Sequence, residues 1–123
     1  MFKNWPQIAA DMSAIIKPMR SGAPDVMKAF GALIQAAEAP KALDTKTKEL
    51  IALGIAVAVR CDPCVAFHAE GSRKHGATRE EIMEAVSMAI AMGAGPSVMY
   101  AAQAVEAYDQ WVAKAAVPAM EQV

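Results

Sequence analysis

Cys61-Asp62-Pro63-Cys64-Val65-Ala66-Phe67-His68 holds both cysteines of the chain and one of its two histidines. Pro63 organises the stretch. Proline disfavours helical geometry in the residue before it and suits the first helical position, so Asp62 reads as an N-cap and Pro63 as the first residue of a helix. Cys64 then lies in the first turn, with His68 one turn above it on the same face. Cys61 precedes the cap, at the CxxC spacing that lets two thiols close a disulfide. The positive end of the helix favours a thiolate at Cys64 by roughly 0.3–1 kcal/mol. Asp62 opposes that ionisation with its own charge, so a ready thiolate needs a group that takes the proton, and His68 is placed to do so.

Outward from this stretch the apolar residues recur with helical period, and strand formers are scarce outside Ile51 to Val59. Six helices are expected. The first runs from about Gln7 to Lys17 and the second from about Asp25 to Ala37, separated by Pro18 and the Ser21-Gly22-Ala23-Pro24 turn. The third starts after Asp44 or Thr45 and runs to about Val59, with Leu50, Leu53 and Val57 inward. The motif helix follows and stops at Lys74-His75-Gly76, where basic side chains precede a glycine. Thr78 with Glu81 makes a capping box for the fifth helix, which ends in Gly93-Ala94-Gly95-Pro96. The sixth continues to about Val117. No repeat or linker interrupts the pattern, so residues 1–123 read as a single all-α domain.

Composition narrows the function classes. At 123 residues the chain suits one domain with a core of its own. Its 12 basic and 13 acidic residues give a formal net charge of -1, which offers no footprint for nucleic acid or an anionic membrane. Two cysteines are too few for a secreted disulfide framework, and Met1 to Pro6 lacks a signal-like apolar region, so a cytoplasmic protein is expected. Ala85 to Val105 carries no charged side chain, yet Gly93 to Pro96 interrupts it; a buried helical hairpin fits better than a membrane span. With 55% hydrophobic residues, 28 Ala and nine Met, the chain is expected to hide apolar surface in a homo-oligomer, through the fifth and sixth helices. Trp5, Trp111, Tyr100 and Tyr108 carry no motif and read as packing residues.

The CxxC admits other readings. It is half of a zinc site, but four protein ligands are usual and no second pair exists. It is also compatible with two inert core cysteines, or with a non-catalytic redox sensor or assembly module. A Pro inside the motif, a helix start and a His at i+4 weigh toward redox chemistry.

Glu49 stands twelve residues before Cys61, which gives E-x11-C-x2-C-x3-H. From Lys48-Glu49-Leu50 through His68, with Gly76-Ala77-Thr78 and Glu80-Glu81-Ile82 after it, the chain resembles the core of the AhpD-like alkylhydroperoxidases in the carboxymuconolactone decarboxylase superfamily, over roughly Pro40 to Tyr108. The resemblance implies an all-helical fold assembled as trimers or hexamers. It also implies thiol peroxidase or disulfide reductase activity on a hydroperoxide or disulfide substrate. No cofactor beyond a redox-active Cys61/Cys64 disulfide is implied; a reducing partner protein or a lipoyl-type dithiol would restore the thiols. Cys64 matches the thiol that peroxide oxidises to a sulfenic acid, Cys61 the partner that supplies a proton and closes the disulfide, and Glu49 and His68 the proton relay. The lactone decarboxylase branch generally lacks the cysteine pair, which argues against decarboxylation.

Helix rise supplies a geometric expectation. Glu49 lies about 15 Å down the third helix and His68 roughly 8 Å into the returning one, so Glu49 should meet His68 rather than a sulfur. The expected order is Glu49, His68, Cys64, against the alternative of a solvated glutamate in a first helical turn. The best-studied relatives of this type carry a second histidine immediately before the second cysteine, where this chain has Pro63; this favours a slower dithiol-disulfide role. An apolar substrate pocket lined by residues such as Phe67 is expected beside Cys64.

Overall fold

The computed structural model describes residues 1–118. It is all-helical: α1 Trp5–Ile15, α2 Lys17–Gly22, α3 Pro24–Glu38, α4 Thr45–Val59, α5 Asp62–Lys74 and α6 Arg79–Ala116. Local chemistry accounts for most of the boundaries. Asp44 caps α4 by accepting from the Thr47 amide at 2.8 Å. Thr78 and Glu81 form the reciprocal capping box of α6, at 3.1 and 2.9 Å. Gly76, at φ 87°, ends α5 in a left-handed turn whose amides return to Arg73 and Ser72.

α6 is a hairpin. Ala94, at φ 54° and ψ -137°, breaks it into two arms, with Pro96 in the first turn after the break. Arg79 Nε meets Asp109 Oδ1 at 3.0 Å, and the Tyr108 hydroxyl donates to the Ala77 carbonyl at 2.8 Å. Thirty residues of straight helix would hold Arg79 and Asp109 about 45 Å apart, so the second arm returns along the first. The helix is long and apolar enough to cross a membrane by composition. Its arms pack instead on α4, α5 and α1.

The core forms where α4, α5 and the hairpin meet, around Leu53, Val57, Val65 and Ile82, each fully buried. Each such side chain contributes about 1.5–3 kcal/mol by leaving water. α1 is drawn onto this body by Trp5, also fully buried; its indole N–H donates to Glu106 Oε1 at 2.8 Å. Glu106 also accepts from the Phe2 and Lys3 amides, so the first residues are clamped to the returning arm of α6.

Two elements depart from the sequence reading. Lys17, expected to end the first helix, and the residues from Pro18 to Gly22, expected in the break after it, form the short helix α2, because Pro18 occupies a first-turn position where its missing N–H costs nothing. The cap of α5 is Cys61 rather than Asp62: Cys61 is extended, its Sγ accepts from the Cys64 amide at 3.4 Å, and Asp62 and Pro63 are the first two helical residues. The cause lies one residue earlier. Arg60 adopts the left-handed conformation at φ 57°, and the Cys61 amide bonds the Ala56 carbonyl, which closes α4 and opens α5 within two residues.

Candidate redox site

The two-residue connection between α4 and α5 makes them antiparallel neighbours and sets the site between them. Cys61, at the cap, and Cys64, in the first turn, are joined in a disulfide with their α-carbons 5.2 Å apart. One turn on, His68 Nδ1 lies 3.0 Å from Oε2 of Glu49 on α4. The carboxylate is not solvated: Glu49 is 5% exposed.

A glycine makes room for it. A Cβ on Gly71 of α5 would stand 2.0 Å from Glu49 Oε2 and 2.6 Å from its Cδ. Gly71 lies three residues beyond His68, on the same face, so the space it leaves is where the carboxylate reaches the imidazole. Burial alone would raise the Glu49 carboxyl. The hydrogen bond and charge of His68, with a hydrogen bond from Glu38, outweigh it and hold Glu49 below the usual carboxylate range. An ionised Glu49 only accepts, so Nδ1 of His68 is the donor of this bond and Nε2 is the ring nitrogen left for a further partner.

His68 and Cys64 share a groove of about 200 Å³ lined otherwise by Ala52, Ile55, Ala56 and Val59. The structure therefore brings Glu49 to His68, and sets His68 beside Cys64 along one groove, with Cys61 joined to Cys64. Phe67 is corrected: it is 42% exposed and does not line the groove. Adjacent helical residues point about 100° apart, so a His68 that faces α4 turns Phe67 away. The apolar wall comes from Ile55 and Val59 of α4.

Three participants were missed. Lys3 Nζ pairs with Asp62 Oδ2 at 2.6 Å, and the Tyr100 hydroxyl, its pKa raised first by this hydrogen bond, donates to the same carboxylate. The negative charge that Asp62 brings to the thiol end of α5 is thus shared with a cation and a donor. Both partners are remote in sequence and left no local signal. Glu38, the last residue of α3, is the third. Its carboxyl is raised by burial, by the charge of Glu49 and by its hydrogen bond to Glu49. Ligand atoms of Glu38, Glu49 and His68 lie within 4.8 Å of one another, close enough for a divalent cation. A signal for Glu38 existed: an acid in the last turn of a helix opposes the helix dipole, which calls for a reason. His75, read as a helix end, is one; its Nδ1 donates to the Gly71 carbonyl at 2.8 Å.

Of the packing residues, Trp5 and Tyr108 are buried and Trp111 donates to the Ala66 carbonyl at 2.9 Å.

An all-helical body with a CxxC at a helix start, backed by a buried Glu–His pair, defines a class of thiol-bearing helical domains. Residues 24–107 match the carboxymuconolactone decarboxylase family, and the chain belongs to that family. An uncharacterized protein of Cupriavidus necator is 42% identical over 86 residues, 70% of this chain and 76% of its own length. A carboxymuconolactone decarboxylase family protein from Legionella pneumophila, solved in an apo form, has a TM-score of 0.85 at 45% identity, covering 87% of this chain and 96% of that one. A Thermotoga maritima protein of known structure has a TM-score of 0.79 at 28% identity, covering 87% and 94%.

Proposed function

We propose that this protein is a thiol-dependent peroxidase of the AhpD-like type, which reduces hydroperoxides through Cys61 and Cys64. The observation that carries the reading is the Glu49–His68 hydrogen bond, which engages Nδ1 of His68 beside the groove that His68 and Cys64 line together.

In the reduced protein His68 takes the Cys64 proton. The thiolate attacks the terminal oxygen of the hydroperoxide; the O–O bond breaks, Cys64 becomes a sulfenic acid and the alkoxide leaves as an alcohol with a proton from the relay. The Cys61 sulfur then attacks the Cys64 sulfur. The S–O bond breaks, water leaves with the Cys61 proton, and the disulfide forms. An external dithiol, lipoyl-type or carried by a partner protein, reduces it back by two thiol–disulfide exchanges. A reducing compartment such as the cytoplasm suits this cycle. Since Pro63 cannot relay a proton, a related reading is a general disulfide oxidoreductase using the same residues with little peroxide turnover.

The reading includes a homo-oligomer. None of α3 is buried, although Val26, Phe30 and Leu33 are 66, 54 and 60% exposed. Between α4 and α6 a groove of about 410 Å³ is lined by Leu50, Ile51, Ile55, Met88 and Met92, among others, without a titratable group. Copies of the chain would cover these faces.

The intermediate tests the chemistry. One equivalent of hydroperoxide added to reduced Cys61→Ser protein should give a Cys64 sulfenic acid that dimedone traps and peptide mass spectrometry locates. Trapping at neither residue in Cys61→Ser and Cys64→Ser would refute the reading.

A further inference from the structure

Lys3 is held along its whole length. Its amide donates to Glu106 Oε1 at 3.0 Å and its carbonyl accepts from Gln110 Nε2 at 2.7 Å, so the returning arm of α6 fixes the backbone from which the side chain starts. The ammonium then stands 5.5 Å from the ring centre of Phe2, 5.5 Å from that of Trp5 and 5.4 Å from that of Tyr100, within the range where a ring face attracts a cation. It ends on Asp62 Oδ2 at 2.6 Å, a short charge-assisted bond.

The far end of this contact lies inside the motif. Asp62 follows Cys61 directly and precedes Cys64 by two residues, in the first turn of α5. Negative charge appears on the cysteine sulfurs whenever their disulfide is opened. A thiolate of an external dithiol attacks one sulfur, the S–S bond breaks, and the other sulfur leaves with the electron pair. The second thiolate of the reagent then closes the reagent's own disulfide and releases the first sulfur; the protons the reagent gave up go to the two cysteines. An unpaired Asp62 would repel both the arriving and the departing thiolate. Paired with Lys3, its charge is offset. The two side chains are 28 and 30% exposed, so water screens them only in part.

We propose, resting on the reading of Cys61 and Cys64 as a working redox pair, that Lys3 is a positioning residue of the site: it holds the Asp62 carboxylate and offsets its charge, so that a dithiol opens the disulfide readily. The cation reaches the motif from a segment that precedes α1 and is 59 positions away in sequence. The reactivity of the pair is thereby tied to the docking of the first residues on α6.

The experiment is the rate at which dithiothreitol opens the disulfide of the oxidised full chain, at one pH and low ionic strength, quenched with N-ethylmaleimide and read by intact mass. It is run on wild type, Lys3→Arg, Lys3→Met, Asp62→Asn and the double variant Lys3→Met with Asp62→Asn. Lys3→Met leaves Asp62 unpaired and should slow the opening about two- to fivefold, whereas Asp62→Asn leaves Lys3 unpaired and should speed it by a similar factor. The double variant, with neither charge, should return to within about twofold of wild type, and Lys3→Arg, which keeps the cation, should match wild type. That return separates charge from packing, because a segment loosened by the loss of Lys3 would stay loosened. A wild-type rate in Lys3→Met, or a double variant as slow as Lys3→Met, would overturn the proposal. So would an Asp62→Asn rate equal to or below that of wild type, which decides the matter even where Lys3→Met does not fold. The expected pattern of rates in a protein that turns over no peroxide would strike the peroxidase reading and leave Lys3 in its role; peroxide turnover with rates that ignore these charges would strike the role alone.

Discussion

Gly71→Ala should change the stability of this protein in opposite directions depending on the residue at 49. In wild type the new methyl would stand 2.0 Å from Glu49 Oε2, and its three nearest atoms all belong to Glu49. The carboxylate is the end of a flexible side chain and can move, but moving takes it off His68 Nδ1, now 3.0 Å away. A hydrogen bond to a charged group is worth about 1.5–3 kcal/mol. Against that loss stands the helix propensity gained by replacing glycine inside α5, roughly 0.8–1 kcal/mol. The net is a destabilisation of about 0.5–2 kcal/mol. In a Glu49→Ala background the three atoms nearest the methyl are gone, and the same substitution should stabilise by about 0.8–1 kcal/mol. At about 3–5 °C per kcal/mol for a domain of this size, thermal unfolding followed by circular dichroism on the four oxidised proteins resolves the two signs. The coupling in the cycle should be about 1.5–3 kcal/mol. Gly71→Ala stabilising both backgrounds equally would refute the placement of Glu49 against α5.

Other perturbations follow from the same physics. Ala94 sits at φ 54° in a region that a Cβ makes costly, so Ala94→Gly should stabilise by about 1 kcal/mol in urea unfolding; a loss of stability would contradict the turn geometry. Glu106→Ala leaves the buried Trp5 indole N–H without its acceptor and should cost about 1–3 kcal/mol, with Trp5 fluorescence shifting to the red as the first residues detach. The two site carboxylates act on stability with opposite sign. Glu49, held below its ordinary 4.5, contributes stability that is present above that value and lost as pH falls through its lower folded value, so the Tm advantage of wild type over Glu49→Gln should shrink below pH 4.5. Glu38, held above 4.5, contributes stability that is present below that value and lost as pH rises through its higher folded value, so wild type should lose ground to Glu38→Gln as pH rises above 4.5.

What the sequence made legible was what neighbours along the chain decide. Thr78 with Glu81, Asp44 before Thr45, and Gly76 after a basic turn mark helix ends by bonds that span three to five residues, and each is found in the structure. The hairpin was readable because Gly93 to Pro96 interrupts an uncharged stretch that would otherwise be one helix. The meeting of Glu49 with His68 was also within reach, since two antiparallel helices joined by a short turn fix which of their residues lie level. The cap at Cys61 was displaced by one residue because Arg60 takes up the turn in a left-handed conformation that an arginine does not advertise. Glu38 and Lys3 were hidden for a different reason. They reach Glu49 and Asp62 across 11 and 59 positions of sequence, and no local pattern encodes contacts made by the docking of α3 and of the first residues onto the body.

The central claim is that Cys61 and Cys64 turn over hydroperoxide with His68 as the base. Its most direct test is steady-state consumption of an organic hydroperoxide by wild type, Cys64→Ser, Cys61→Ser and His68→Gln, with dihydrolipoamide as the dithiol donor. The account predicts many equivalents consumed per wild-type chain, none above the free dithiol for Cys64→Ser, a strongly slowed rate for Cys61→Ser, and a fall of about 10²–10⁴-fold for His68→Gln. Wild type that stops at a single equivalent, or Cys64→Ser that matches wild type, would contradict it.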